Sequence, residues 1–229
     1  YGRNDQFSVS IWVNIPSHIK NGNIFHKGSG AILYNWRGYH LKITNDKLEI
    51  MMAHTAPGNA IIETSKNGFP RDQWVHFGLT YDGSSKASGL KLYQNGVEIE
   101  TEVDVDDLYK DILFRNNNEP GLQFGARMRG KGIKGGVVDE IKVFDRELSN
   151  IDIMKLAEVP ELQTIFSKNT ETLSLNHKNL LAEHYSLSIS KRTSELKNNL
   201  SKLRKTYVDS VEKIQEVMVM KERKKPVQA

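Results

Sequence analysis

The sequence predicts a mainly β fold, an antiparallel two-sheet jelly-roll sandwich, followed by a C-terminal α-helical appendage. Apolar and polar residues alternate by twos through most of the first 145 residues, which is the pattern of half-buried strands. Gly, Pro, Asn and Asp separate the alternating runs, as turns require. Residues 161–225 hold neither Gly nor Pro, which is typical of long helices.

Residues 73–96 show the strand pattern most clearly. Two alternating runs flank a turn at 82–85, and the second run ends at Asn95-Gly96, a tight-hairpin signal. The other predicted strands are, in chain order, residues 7–13, 23–27, 39–44, 48–54, 60–64, 97–103, 122–126 and 137–144. About ten strands at such spacing indicate two packed sheets.

The pattern changes at Leu148-Ser149, where Ser149 and Asp152 have the spacing of a helix capping box. We therefore expect the sandwich to span residues 1–158. We expect a helical extension or interdomain linker over 159–229, with a long helix or helical hairpin at about 172–217. Residues 217–220, VMVM, are interpreted as a strand that leads into a further domain.

One apolar stripe dominates the predicted tail helix. Its members follow steps of three and four: Leu196, Leu200, Leu203, Tyr207, Val211, Ile214 and Met218. Such a narrow stripe must pack on another helix, on the sandwich or on a second chain. The third alternative predicts self-association through the helices.

Composition excludes several classes of function. The net charge of +4 belongs to the tail, because residues 1–159 hold 19 basic and 20 acidic residues, and a nearly neutral sandwich is a poor match for nucleic acid. No run approaches the roughly 20 apolar residues of a membrane span. Cysteine is absent, which excludes disulfides, thiolate catalysis and Cys-ligated zinc. The start, YGRNDQFSVS, has neither an initiator Met nor a signal peptide, so we expect an excised or processed fragment.

The segments FSVSIWV, QWVHFGLTYDGSS, LKLYQNGVE and GGVVDEIKVFDRELS resemble the laminin-G-like, concanavalin A-like lectin and glucanase jelly roll over about residues 5–157. RGYHLKI, HTAPGNAI and EVMVMKE resemble the version embedded in planctomycete-type cytochrome-c-like multidomain bacterial proteins. The family usually has one strand before FSVSIWV, and its absence here predicts an open sheet edge.

The resemblance implies a non-catalytic binding module of a larger bacterial cell-envelope protein, extracytoplasmic or periplasmic, that recognises a carbohydrate. Its expected partners are a polysaccharide or glycan and other domains of the parent protein. The alternatives are a structural or protein-interaction module with no small ligand and, ranked below it, a family-16-type glycoside hydrolase.

Aromatic and basic residues supply the candidate ligand contacts, because sugar rings stack on aromatic faces while polar neighbours bind the hydroxyls. Trp36, Tyr39 and His54 cluster early in the chain, together with Tyr34 and His40. Arg127 and Arg129, in GARMRGKG, add donors suited to an acidic glycan. The alternative is that the aromatics fill the core and that RMRGKG is an ordinary loop.

Asp139 is the candidate metal ligand. In VVDEIKVF it shares strand parity with Val137, Ile141 and Val143, so we expect it to point inward, where a carboxylate needs a partner. One interpretation is a structural Ca²⁺, which the resemblance implies for this fold. The other is a buried Asp that accepts hydrogen bonds from loop amides, His76 or Trp74.

An alternating acidic run, Glu98, Glu100, Glu102, Asp104 and Asp106, follows the Asn95-Gly96 turn. If one strand continued through it, the carboxylates would share a face, as in family-16-type glucanases. A retaining glycosidase needs two carboxyls about 5–5.5 Å apart, one with a raised pKa. Hydrated carboxylates on a hairpin would lack that shift, so we expect a solvated face and no enzyme.

Overall fold

The computed structural model describes residues 1–29, 36–114, 119–127, 130–215 and 217. Its strands are β1 (Phe7–Asn14), β2 (Gly22–Gly28), β3 (Gly38–Thr44), β4 (Lys47–Thr55), β5 (Asn59–Gly68), β6 (Trp74–Tyr81), β7 (Leu90–Gln94), β8 (Val97–Glu98), β9 (Thr101–Asp106), β10 (Gln123–Phe124) and β11 (Val137–Phe144). They form a five-stranded sheet, β11-β1-β6-β7-β8, and a six-stranded sheet, β10-β2-β3-β4-β5-β9. All pairings are antiparallel, so the predicted two-sheet sandwich is confirmed.

The core lies between the inner faces of the two sheets. The alternate residues of β1, from Phe7 to Val13, are at most 1% exposed, as a period of two requires for a strand with one face in the core. The ring of Phe7 lies 4.9 Å from that of Tyr39 on the opposite sheet, so aromatic contacts join the two layers.

The predicted strand over 97–103 is wrong in one respect. It is interrupted after Glu98: β8 pairs with β7 in the five-stranded sheet, whereas β9 pairs with β5 in the six-stranded sheet. The chain therefore crosses from one layer to the other between Glu98 and Thr101.

The helices follow the last strand. They are α1 (Asn150–Leu156), α2 (Glu161–Ser167), α3 (Leu175–His184), a π-helical segment (Tyr185–Ile189) and α4 (Lys191–Glu212); short 3-10 turns lie at Ala87–Gly89 and Thr170–Thr172. Ser190 has an extended backbone conformation between the π-helical segment and α4. α1 packs on the outer face of the five-stranded sheet, where Ile153 meets Tyr93.

Polar contacts hold α4 against the sandwich. Lys197 pairs with Glu147 at 2.8 Å, and Arg204 donates to the Asp82 carbonyl at 2.7 Å. At the other end, the Lys110 ammonium donates to the Val211 carbonyl at 2.8 Å. This cation satisfies carbonyls of the last helical turn and interacts favourably with the helix dipole.

Replacing Ser149 by Ala is expected to lower the free energy of unfolding by about 1–2 kcal/mol. The Ser149 side chain accepts from the Asp152 amide in a complete capping box and lies 2.7 Å from His184 Nδ1, so the substitution removes both the cap of α1 and its link to α3. Urea unfolding would measure the loss. Ser174→Ala, at the exposed cap of α3, is the matched control and should cost less; an equal cost would contradict the added weight of the His184 contact.

Candidate functional site

The outer face of the six-stranded sheet carries a row of polar and apolar side chains across its strands. Leu41 and Ile50 point into the core, so their neighbours His40 and Met51 point outward by alternation. The strand registers align these neighbours with further residues in a row: Gln123, His26, His40, Met51, Ile62 and Val105. This row is the floor of the candidate site.

Trp36 and Arg127 lie above one end of the floor. Trp36 packs on the small cluster of Met51, Ala53 and Ala60, and the Arg127 guanidinium stacks 4.5 Å from the centre of its ring. Both residues are half-buried. The guanidinium lies over one face of the ring, and its Nη2 donates to the Ser29 carbonyl at 3.5 Å. The pair therefore places an aromatic ring beside hydrogen-bond donors.

A glycine permits the backbone conformation next to the Trp36–Arg127 pair. Gly38, two residues after Trp36, has φ +119°, and a Cβ there would lie 2.0 Å from the carbonyl oxygen of Lys27. β2 and β3 therefore approach each other closely where the chain enters the sheet from Trp36.

The two histidines of the floor are neutral donors. His26 Nε2 lies 3.1 Å from Gln123 Oε1, and His40 Nε2 lies 3.2 Å from Glu49 Oε1; because both partners are acceptors, each Nε2 carries a proton. Burial, with Arg127 nearby, lowers the pKa of His26. Burial lowers the pKa of His40 as well and outweighs the opposing effect of Glu49.

Glu49 is held as a carboxylate. Burial would raise its pKa, but hydrogen bonds from His40 and Lys42 outweigh burial and lower the pKa to about 2. The Lys42 ammonium lies 2.8 Å from Glu49 Oε1. A carboxylate with so low a pKa accepts hydrogen bonds near neutral pH and is a poor general acid. His26 and His40 are buried and donate to Gln123 and Glu49. The exposed Gln123 and the half-buried Arg127 are the polar side chains of the site that a hydroxyl group can reach.

Of the predicted ligand residues, the structure brings Trp36 and Arg127 together. Tyr39 lies in the core at 3% exposure, packed on Phe7, so the prediction that it contacts a ligand is wrong. Its parity with the core residues of β3 is the reason. Arg129, like Tyr34, lies outside the described residues.

His54 joins two parts of the backbone near the site. Its Nε2 lies 2.7 Å from Arg37 Nη2, and its Nδ1 lies 2.6 Å from the carbonyl oxygen of Asp111. Arginine can only donate, so Nε2 is the acceptor and Nδ1 carries the proton. Both ring nitrogens are engaged within the protein, and His54 positions Arg37 beside Trp36.

Sequence reasoning missed His26, Glu49 and Gln123 as members of the site. The outward parity of His26 and Glu49 in their strands was a usable signal. For Gln123 there was none, because its position depends on pairing with a strand almost 100 residues earlier.

The predicted inward orientation of Asp139 is wrong. Between the pairs Ser10–Lys142 and Trp12–Asp139 the register shifts, because two residues of β11 oppose one of β1, and this bulge reverses the alternation. Val138 packs on the core instead, while Asp139 is exposed. Its carboxylate accepts from the Glu140 amide at 2.8 Å.

The residues around Asp139 do not fit a calcium site. Across the part of the chain that the structure describes, no three His, Asp or Glu side chains gather as a metal-ligand group. Calcium bound by protein needs several oxygen ligands converging at 2.3–2.6 Å. An exposed Asp on an edge strand offers a single carboxylate.

The acidic run does not form the carboxylate pair that the glycosidase alternative would require. Glu98 and Glu102 lie in different sheets. Glu98 is 3.8 Å from Lys91, and Glu100 is 2.9 Å from Lys66, while Asp104 accepts from Thr64. Each of these three exposed carboxylates pairs with a separate partner.

Two packed antiparallel sheets with this order of strands define a jelly-roll β-sandwich. A family model described as the concanavalin A-like lectin/glucanases superfamily matches residues 2–154, so the chain belongs to that superfamily. The description covers both lectins and glucanases. No curated protein sequence matches the chain.

Solved structures share the fold at low identity. The CBM40 module of the Ruminococcus gnavus IT-sialidase, bound to α2,3-sialyllactose, is 18% identical with a TM-score of 0.52, covering 67% of this chain and 83% of that one. A second structure of that module is 18% identical with a TM-score of 0.50, covering 68% of this chain and 84% of that one. A heptameric SAP-like pentraxin from Limulus polyphemus is 16% identical with a TM-score of 0.44, covering 67% of this chain and 70% of that one. The likeness to the sialidase module supports the shared architecture.

None of the described helices combines the length and the apolar character that a membrane crossing requires.

Proposed function

We propose that this chain is a non-catalytic carbohydrate-binding module whose ligand lies on the outer face of the six-stranded sheet. The observation that carries the proposal is the Trp36–Arg127 stack, 4.5 Å from guanidinium to ring centre, above a floor of fixed hydrogen-bond donors and acceptors. Aromatic faces with a few converging polar groups are typical of small-ligand sites. Membership of a superfamily that includes lectins supports the same conclusion.

The floor favours hydroxyl recognition over acid–base chemistry. His26 and His40 hold Gln123 and Glu49 in place through their Nε2 donors, Gln123 presents its amide N–H groups, and Glu49 remains ionised with a pKa of about 2. General acid catalysis near neutral pH needs a carboxyl with a raised pKa, and Glu49 is shifted the other way. Arg127 adds a planar donor, which suits a carboxylated or sulfated sugar.

Glycan binding should depend on Trp36. A glycan array that includes neutral, acidic and sulfated oligosaccharides, with α2,3-sialyllactose among them, would identify a ligand, and calorimetry would measure its affinity. Trp36→Ala should weaken binding at least tenfold, because the stacking surface is lost. Arg127→Lys should weaken the binding of an acidic glycan more than the binding of a neutral one.

Trp74→Ala is the matched control, since Trp74 is 45% exposed on the other sheet and should not affect binding. If no oligosaccharide binds at millimolar concentration, the proposal fails. An equal loss of affinity in the Trp36 and Trp74 variants would show that the ligand does not bind on the outer face of the six-stranded sheet.

The cellular setting is the second part of the proposal: a larger bacterial cell-envelope protein, for which the quoted sequence resemblances are the support. Fractionation of cells that produce the natural protein should recover it with envelope or periplasmic markers. Recovery with cytoplasmic markers would contradict this part and leave glycan binding untouched.

A further inference from the structure

Helix α4 carries a row of large apolar side chains that none of the described residues of the sandwich covers. Leu196, Leu200, Leu203 and Tyr207 follow steps of four, three and four and are 44–69% exposed. We call these four residues the α4 stripe. Its spacing is that of the a and d positions of a coiled coil.

The stripe is distinct from the face that docks on the sandwich. Docking uses Lys197, Arg204 and the buried Val208, which lie along the adjacent side of the helix. Contiguous exposed apolar surface on a monomer marks an interaction site. The apolar spacing and the length of α4, 22 residues, match a partner helix of about three heptads.

The charges around the stripe are mainly basic. α4 holds six Lys and Arg against three Asp and Glu, and Lys197 and Arg204 are already paired with Glu147 and Asp82 of the sandwich. Arg192 is one helical turn from Leu196 on the exposed side. In a parallel pairing a second copy of this helix would place Arg192 beside its own copy, which disfavours that arrangement of self-association.

A cavity of about 190 Å³ lies beside Tyr207, at one end of the stripe, and it adds to the positive charge. Its charged lining is Arg3, Lys86 and Arg204 against Asp107. The Arg3 side chain is 2% exposed and donates from Nη1 only to the neutral oxygens of Ser85 and Leu108.

Within the described part of the chain, the Nε and Nη2 atoms of Arg3 have no hydrogen-bond partner. They share one edge of the guanidinium, the edge that matches the two oxygens of a carboxylate. The Tyr207 ring centre lies 5.8 Å from Arg3 Cζ, and Tyr207 is 62% exposed, so the guanidinium lies directly beneath one end of the stripe.

From these observations we propose that the α4 stripe is the docking surface for an acidic amphipathic helix of another polypeptide or domain. The partner contributes an apolar stripe that packs on Leu196, Leu200 and Leu203. Its acidic flanks face Arg192 and the basic cavity at Tyr207. This interaction is independent of the glycan site, which lies on the six-stranded sheet.

Two synthetic peptides of 21 residues test the proposal on the full chain. Both have Leu at every a and d position; one has Glu and the other has Lys at every e and g position. Fluorescence anisotropy should show micromolar binding of the Glu peptide and at least tenfold weaker binding of the Lys peptide. The double variant Leu196→Ala, Leu203→Ala should lose at least tenfold in affinity while keeping its circular dichroism spectrum.

Two pairs of charge-reversal variants distinguish docking at the stripe from non-specific electrostatic attraction to the helix. Lys86→Glu with Arg192→Glu reverses two charges beside the stripe, whereas Lys202→Glu with Lys205→Glu reverses two on the opposite side of α4. The first pair of substitutions should lower the affinity for the Glu peptide at least fivefold more than the second pair does. Equal effects, or no binding of either peptide at 100 µM, would overturn the proposal. A dimer of the unmodified chain in sedimentation equilibrium would also overturn the proposal if the two Leu→Ala changes abolish that dimer. The occupant of the stripe would then be a second copy of this chain.

Discussion

Gly38→Ala is expected to destabilise the protein by about 3 kcal/mol or more, through backbone strain and overlap. The φ of +119° at Gly38 is a conformation that side chains rarely adopt, and the new Cβ would lie 2.0 Å from the Lys27 carbonyl oxygen and 2.6 Å from the Gly28 Cα. Both contacts are with backbone, so no side-chain rotation relieves them. β2 and β3 must separate at the edge of the candidate site.

Gly58→Ala is the matched control for this substitution. A Cβ at Gly58 meets nothing within 4 Å, and its φ lies outside the left-handed range. Alanine there should be neutral or stabilise by up to about 1 kcal/mol, since it reduces the entropy of the unfolded chain. Urea unfolding of both variants gives the comparison; similar free energies of unfolding would show that β2 and β3 are less closely apposed than described.

The Gly38 variant also links the fold to the proposed function. Trp36 is positioned by the segment that enters β3 through Gly38. We therefore expect any glycan affinity of the folded fraction to fall together with stability in Gly38→Ala and to stay unchanged in Gly58→Ala.

The sequence was sufficient for the sandwich because its core repeats a single signal. Alternation in β1, from Phe7 to Val13, and in β6, around Phe77, reflects the apolar face that both strands direct into the core between the sheets. The same signal already placed Tyr39 with Leu41 and Ile43 on the inner face of β3. The prediction that Tyr39 contacts a ligand gave its aromatic character more weight than its parity.

Two departures came from local irregularities that have no residue signature here. The bulge opposite Ile11 directly follows Asp139 and reverses the alternation between Asp139 and Lys142, and nothing in VVDEIKVF marks its position. The change of sheet between Glu98 and Thr101 divides the acidic run, although its alternation reads as one strand. In both cases hydrogen bonding to neighbouring strands overrides a local pattern.

The candidate site depends on contacts between distant segments. Trp36 and Arg127 are 91 positions apart in the sequence, and Gln123 reaches His26 because β10 pairs with β2. Composition indicated which residue types were suited to a sugar. The tertiary pairing decided which of them meet, and that pairing was not readable from a single chain.

Stability should fall by about 2 kcal/mol from His76 alone when the pH is lowered from 7 to 5. Burial, with Lys142 close by, lowers the pKa of His76 from 6.5 to about 4. The side chain is fully buried, with Nε2 2.8 Å from Ser10 Oγ and its ring edge-on to Trp12 at 5.4 Å. Among the residues that the structure describes, Nδ1 has no hydrogen-bond partner, so protonation would add a buried N–H without an acceptor.

The sign follows from proton uptake. Between pH 6.5 and pH 4 the unfolded chain binds a proton at this histidine and the folded chain does not, so the free energy of unfolding decreases as the pH falls through that window. Lowered pKa values at His26 and His40 act in the same direction.

His76→Gln isolates the contribution of this one residue. Glutamine keeps a polar group near Ser10 but does not titrate, so the variant should be less stable at pH 7 and yet lose about 2 kcal/mol less than the parent between pH 7 and pH 5. Urea unfolding at both pH values measures the difference. A parallel pH dependence in the two proteins would mean that the buried imidazole accepts a proton in the folded state, and the environment described for His76 would then be wrong.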